Sequence, residues 1–309
     1  MRLLLLLIIL PVFSTAQSVT ILSKNHDVYK KKSQYSSIVV YNNNILLPAE
    51  RCGELIVTGM DGSFISKTPT GIKDAQIEGA ALYGDFLFLL DESVQKNKVY
   101  IYDLKAKKVT DTIKLNEFSY DKDTYGIEGI AVNIKDNICY ILQEKKDDKH
   151  SLICQYNIKP LDNGKFTLTH QSGKNITLEH YDQYRYQLNR RYTDLFYNND
   201  TLYLLGSYFD KEGSPANQYF IDCLSKRADE SLFNNDATVR GIYRTYVDLS
   251  RMMRTFLFPV GGVLFHTNLE GLTLHNNEFY LVTDNAEGEA ACTDNSNRNT
   301  LLMKFKKPW

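Results

Sequence analysis

The chain has 309 residues, 36 basic against 37 acidic for a net charge of −1, and 43% hydrophobic residues. No basic stripe alternates with aromatics, which argues against a nucleic-acid partner. Twenty-one tyrosines against seven prolines suit an aromatic-rich set of strands rather than a disordered chain.

The chain opens with MRLLLLLIILPVFSTAQ. Arg2 is a positive n-region, Leu3 to Phe13 an apolar core too short to span a bilayer comfortably, and Ser14-Thr15-Ala16 a small-residue cleavage site. Residues 1–17 are therefore expected to be a signal peptide. Residues 18–309 then form one exported domain, secreted or periplasmic, monomeric and with no membrane span. Five cysteines in such a chain invite disulfides. Cys139 and Cys154 flank the turn EKKDDKH nearly symmetrically, Cys52 and Cys292 each follow the second strand of a repeat, and Cys223 reads as a small buried apolar group.

After the leader, SVTILSK (Ser18–Lys24) is a lone strand. The rest is a repeat: a short strand, a turn of Asn, Asp or Gly, then a more apolar strand ending in polar residues. The copies are SSIVVYNNNILLPAER from Ser36, QIEGAALYGDFLFLLDES from Gln76, GIEGIAVNIKDNICYILQEKK from Gly126, YTDLFYNNDTLYLLGS from Tyr192 and NLEGLTLHNNEFYLVTDN from Asn268. Alternating runs follow most of them: GELIVTGM, KVYIYDL, SLICQYNI and TLLMKFK. Four short strands repeated around a chain predict an all-β fold, a β-propeller. Five copies predict five blades, with a sixth left open by the widening spacing of the motifs. The segment RADESLFNNDATVRG (Arg227–Gly241) is expected to be a helical or irregular insertion. No full blade follows the last strand, so Ser18–Lys24 is expected to complete it, which would bring Cys52 and Cys292 onto neighbouring blades.

The first strand of a blade lines the central channel, so acids at its start should converge at one mouth. These are Glu78, Glu128, Asp194 and Glu270, with Gly79, Gly129 and Gly271 allowing the strands to crowd the axis. Like charges at close range raise one another's pKa unless compensated, and a hard cation such as calcium is one compensation. Arginines are another, and Arg51, Arg190 and Arg191 adjoin the motif strands. A structural alternative has each carboxylate capping backbone amides of the next blade. A second polar set closes the apolar strands: Glu50-Arg51, Asp91-Glu92-Ser93, Gln143-Glu144, Ser207 and Asp284-Asn285. These should form a rim.

These residues resemble those of the exported propellers called phytase-like esterases and their relatives described as SdiA-regulated proteins. FLFLLDESVQKNKVYIYDL (Phe86–Leu104) is similar to a segment in which an acidic pair ends one strand. LNRRYTDLFYNNDTLYLL (Leu188–Leu205) resembles an Asn-Arg-x-x-Glu-Gly-Leu strand, with Thr193-Asp194 replacing Glu-Gly. The Asn268–Asn285 stretch resembles the last blade. The resemblance implies hydrolysis of carboxylate or phosphate esters, often with calcium.

On that reading Glu78, Glu128, Asp194, Glu270 and Asp284 are candidate metal ligands, and Glu128 and Glu270 carry catalysis with an arginine, Arg190 or Arg51, clamping an anionic or ester ligand. Serine chemistry lacks a Gly-x-Ser-x-Gly elbow and a histidine recurring beside Ser93 or Ser207; His266 stands alone. Zinc lacks paired Cys-x-x-Cys or His-Glu-x-x-His. The alternative function is a non-catalytic propeller binding a glycan, peptide or protein, for which HYDQYRYQLNRRY (His180–Tyr192) offers stacking area. Such a binder would show exposed aromatics and no perturbed carboxylates.

Overall fold

Strands that carry apolar residues on both faces need a neighbour on each side, and here the neighbours close into a ring. A computed structural model describes residues 19–23, 34–93, 97–118, 125–147, 150–179, 189–209, 215–225, 238–239, 244–248, 268–284 and 300–307. Blade 1 is the meander β2 (Val39–Tyr41), β3 (Asn44–Pro48), β4 (Glu54–Gly59) and β5 (Phe64–Pro69). Blade 2 is β6 (Ile77–Tyr83), β7 (Phe86–Asp91), β8 (Lys98–Asp103) and β9 (Lys108–Lys114). Blade 3 comprises β10 (Tyr125–Asn133), β11 (Ile138–Asp147) and β12 (His150–Pro160), whose outer edge is shared by β13 (Phe166–His170) and β14 (Ile176–Glu179). Blade 4 is β15 (Asn189–Asn198), β16 (Thr201–Phe209), β17 (Pro215–Ser225) and β19 (Arg244–Asp248). Blade 5 is β20 (Asn268–His275), β21 (Glu278–Asp284) and β22 (Leu302–Lys306), completed by β1 (Thr20–Ile21). This is a five-bladed propeller.

The second strand of every blade explains the closure. In β7, Phe88 and Leu90 pack toward blade 3 while Leu87 and Leu89 pack toward blade 1. In β16, Leu202 and Leu204 face blade 3, and Tyr203 and Leu205 face blade 5. In β21, Phe279 and Leu281 face blade 4, and Tyr280 and Val282 face blade 1. The apolar clusters thus fill the five gaps between consecutive blades, including the gap from blade 5 to blade 1, and no sixth blade is interposed. A run that is apolar at every position is what a strand buried on both faces requires.

The turns are equally direct. Asn42-Asn43, Asn199-Asp200 and Asn276-Asn277 all have positive φ, between 47° and 62°, as two-residue hairpins with the favoured twist demand. Asn and Asp adopt that conformation more readily than other side chains.

The N-terminal strand closes the ring as expected. Thr20 and Ile21 pair antiparallel with Lys304 and Met303, Leu22 N–H donates to the Leu302 carbonyl at 2.8 Å, and Leu302 N–H donates to Ser23 Oγ at 3.1 Å. Within the Arg227–Gly241 insertion, Thr238–Val239 forms a short strand, β18, running parallel to β14 at the edge of blade 3; the remainder lies outside the described residues, as do residues 1–18.

One disulfide expectation is corrected. Cys139 and Cys154 are buried free thiols. The β11–β12 register sets Cys139 opposite Tyr156 and Cys154 opposite Ile141, so the two are diagonal rather than facing. Diagonal pairs lie about 7–8 Å apart, too far for a bridge without backbone movement. Burial pushes the Cys139 thiol pKa up, and both sulfurs belong to the apolar core between blades 2 and 3. Cys223 is also a free thiol but is only partly buried. Cys292, the partner expected for Cys52, lies outside the described residues.

The crowded axis makes a testable demand. A Cβ at Gly129 would lie 2.9 Å from Leu195 N and 3.0 Å from Asp194 Cα, whereas one at Gly173 would meet nothing within 4 Å. Gly129→Ala should cost about 1–3 kcal/mol in denaturant unfolding, the usual range for overpacking, with Gly173→Ala near neutral. Leu22→Pro removes the donor of the buried Leu302 carbonyl, and unfolding should become easier by about 1–3 kcal/mol.

Candidate functional site

The innermost strands touch in the cyclic order β2, β6, β10, β15, β20 and back to β2. Near its start each of the last four carries a bulge at the same place. The pairing with the second strand slips between Ile77 and Gly79, Ile127 and Gly129, Tyr192 and Asp194, and Leu269 and Gly271. The extra residues are Glu78, Glu128, Thr193 and Glu270. Counting back from the Tyr41–Asn44 pair puts Ser36 at the same level in blade 1. A bulge turns its residue out of the ladder and re-aims its side chain, which is how the glutamates reach the mouth.

This register corrects one expected ligand. Asp194 occupies the glycine position, and Thr193 the glutamate position. Asp194 is 2% exposed, and its oxygens accept from Leu195 N–H at 2.8 Å and from Leu272 N–H of blade 5 at 2.7 Å. Burial pushes its carboxyl well above the usual range despite those two donors. At this level a side chain points straight at the backbone of the next blade, so Asp194 is a staple between blades. The structural alternative for the acids holds here.

The other acids do come together. Glu78, Glu92 and Glu128 each offer a carboxylate oxygen within 4.8 Å of the others. Glu50 and Glu270 also act on Glu78. Glu92, Glu50 and Glu144 all follow or close the second strands, so the expected rim lies against the inner ring rather than apart from it. Gly126 of blade 3 makes room for the Glu92 side chain of blade 2, with which any Cβ there would collide.

The electrostatics follow from that crowding. Glu78 is 8% exposed and has no hydrogen-bond or ion-pair partner among the described residues. Burial, then Glu50, Glu128, Glu270 and Glu92, hold its carboxyl well above the ordinary range. Glu92 is pushed up to about 9 by burial and by Glu128 and Glu50, against the pull of Arg191 and Arg51. Burial raises Glu128, Arg191 opposing and Glu50 assisting. Arg51 Nε pairs with Glu50 Oε1 at 2.7 Å, and Arg191 pairs with Glu144. Arg191 and Arg51 are thus cations of the site among the described residues.

Arg190 pairs with Tyr208 and Asp284 with Asn268 in their ladders; both side chains lie outside the described residues, as do His266, Asn285 and the 180–188 stretch. Asp91 Oδ1 accepts from Gln76 N–H and Ser93 N–H, both at 3.0 Å, and its other oxygen is 3.5 Å from Lys98 Nζ. It ties down a loop. The opposite mouth is held by tyrosine and asparagine hydrogen bonds: Tyr41 and Tyr83 hydroxyls donate to Asp85 and Asn137 of the next blade, each at 2.6 Å, and Asn133 Nδ2 donates to the Tyr197 hydroxyl at 2.9 Å. Among the described residues, the clustered glutamates mark the first mouth, whereas the aspartates at the second each accept from a tyrosine or asparagine.

A cluster of hard oxygen donors, one of them buried with no partner, can hold either protons or a divalent cation. No family model matches this sequence, and no curated protein matches it. Among solved structures, the chain is similar to a luciferin-regenerating enzyme at 6% identity and TM-score 0.47, covering 94% of this chain and 95% of that one. It is also similar to U3-55K at 9% identity and TM-score 0.43, covering 94% and 98%, and to the computationally designed Ika4 protein at 11% and 0.33, covering 63% and 92%.

Proposed function

We propose that the mouth of the channel binds a divalent cation, calcium by the chemistry of its donors, and uses it to hydrolyse an ester or phosphate ester. The observation that carries this is the convergence of Glu78, Glu92 and Glu128 around a buried carboxylate with no partner among the described residues. Glu78, Glu92 and Glu128 would hold the ion, with Glu270 beside them. A cation there would polarise a carbonyl or phosphoryl oxygen and acidify bound water. Glu128 and Glu270 come from blades that flank blade 4; with Glu128 holding the ion, Glu270 would be the general base that takes the proton of the attacking water. The ion pairs of Arg51 and Arg191 fix Glu50 and Glu144 in the rim. The resemblance to phytase-like esterases points to the same chemistry, and export of the chain would place it where millimolar calcium is available. Convergent, strongly perturbed acids support an enzyme over a simple binding propeller.

Calcium titration should raise the melting temperature of the full chain. Glu78→Gln, and Glu128→Gln combined with Glu270→Gln, should abolish that rise together with ester hydrolysis. Hydrolysis that survives both substitutions overturns the mechanism.

Without divalent cations the pH dependence has a definite sign. These carboxyls ionise less readily in the fold than in the unfolded chain. The stability tied to them is whole below the ordinary carboxylate range and is lost as pH rises toward the Glu92 value of about 9. From pH 5 to pH 8 in chelator, the wild type should lose more stability in denaturant unfolding than Glu78→Gln does, because burial and the neighbouring glutamates raise the Glu78 carboxyl only in the fold. Saturating calcium should remove the difference.

A further inference from the structure

Glu78 and Glu128 reach the mouth from bulges in the innermost strands, whereas Glu92 directly follows the last residue of β7. Two features of the fold bring its carboxylate beside theirs. The first is a clamp on its backbone. Glu92 N–H donates to the Gln76 carbonyl at 2.8 Å. On one side of it, Asp91 Oδ1 accepts from Gln76 N–H and Ser93 N–H, both at 3.0 Å, and from the Ser93 hydroxyl. On the other, Ser93 Oγ accepts from Gln76 N–H at 3.2 Å. The side chain therefore starts from a fixed backbone, as a preorganised ligand requires.

The second feature is a seat on the neighbouring blade. The three atoms nearest to a Cβ built at Gly126 are Oε1, Cδ and Cγ of Glu92, and it would collide with all of them. At Gly79 and Gly129 the first atoms met are backbone of the next blade instead. Gly126 does not have a positive φ, so its backbone conformation is open to other residues. A glycine inside a strand weakens it and often marks a close approach. Here the approach is that of a carboxylate from another blade. Glu128 stands two residues further along β10, so the seat of one acid and the origin of the next share one strand. Glu78, 8% exposed and without a partner among the described residues, completes the group.

We infer, on the cation reading above, that Gly126 is a positioning residue for the ion, seating Glu92 of blade 2 across the seam with blade 3. The third ligand is then assembled only where the two blades pack. The atoms that a methyl at position 126 displaces are the far end of a flexible side chain, which can swing away. At Gly129 the obstacle is backbone, which cannot. Ligation and folding are thus separable at Gly126 and inseparable at Gly129.

The test uses the full chain with calcium chloride, reading affinity by calorimetry and stability by denaturant unfolding in chelator. Gly126→Ala should weaken calcium binding by about ten- to a hundredfold, the range for groups that orient a metal ligand without touching the metal. Its unfolding midpoint in chelator should not fall. Glu92→Ala should weaken calcium binding at least as much. Adding Gly126→Ala to Glu92→Ala should bring no further loss, because no side chain remains for the methyl to displace; a glycine needed for packing would show the same loss in both backgrounds. Wild-type calcium affinity in Gly126→Ala, a lowered midpoint, or a loss repeated in the Glu92→Ala background would each overturn the positioning role and leave the cation site standing. A wild type that binds no calcium removes the cation reading itself.

Discussion

Everything at the functional mouth depends on how closely five backbones can approach one axis. Gly79 lies against the backbone of Glu128 and Ile130, Gly129 against Asp194 and Leu195, and Gly271 against Ser37. The Gly79 and Gly129 contacts leave no room for a methyl group without movement. Because the strands are that close, the residue just before each glycine is squeezed into a bulge and thrown toward the mouth. Close backbone approach and carboxylate convergence are one constraint seen from two sides.

Packing alone does not explain the acids. The apolar clusters between blades form without them, and at the opposite mouth the aspartates are each satisfied by tyrosine, asparagine or lysine donors. A mouth serving only closure would look like that second one. Instead, the first mouth retains a buried glutamate facing other glutamates, which raise its pKa together with burial. Asp194 shows the contrast within the same ring. Its carboxylate is equally buried, but two amides satisfy it, and it staples blade 4 to blade 5.

The arginines divide labour differently from a first reading of their positions. Arg190 has the more suggestive sequence context, and among the described side chains it is Arg191 that pairs with Glu144 and pulls on Glu92 and Glu128. Successive residues of a strand point to opposite faces, so a one-residue shift re-aims a side chain. The bulge between Tyr192 and Asp194 shifts that alternation again, which is why Asp194 misses the glutamate level.

The sequence by itself determined the repeat, the asparagine turns and the N-terminal closing strand, because these rest on local patterns: apolar runs, positive-φ residues and the chain length left after the last strand; it left five blades or six open until the inter-blade clusters were seen. It also determined that Glu78, Glu128 and Glu270 share one level, since each stands before a glycine in the same strand. Only the tertiary structure decided which rim residues join them. Glu92 and Glu50 come from second strands of blades 2 and 1, and nothing in their spacing tells that they reach inward while Asp91, their neighbour in sequence, turns to cap a loop. Cys139 and Cys154 teach the same lesson, since a symmetric distance from a turn does not reveal a register two residues out of alignment. Register and bulges are set by contacts between strands far apart in the chain, and those contacts exist only once the ring has closed.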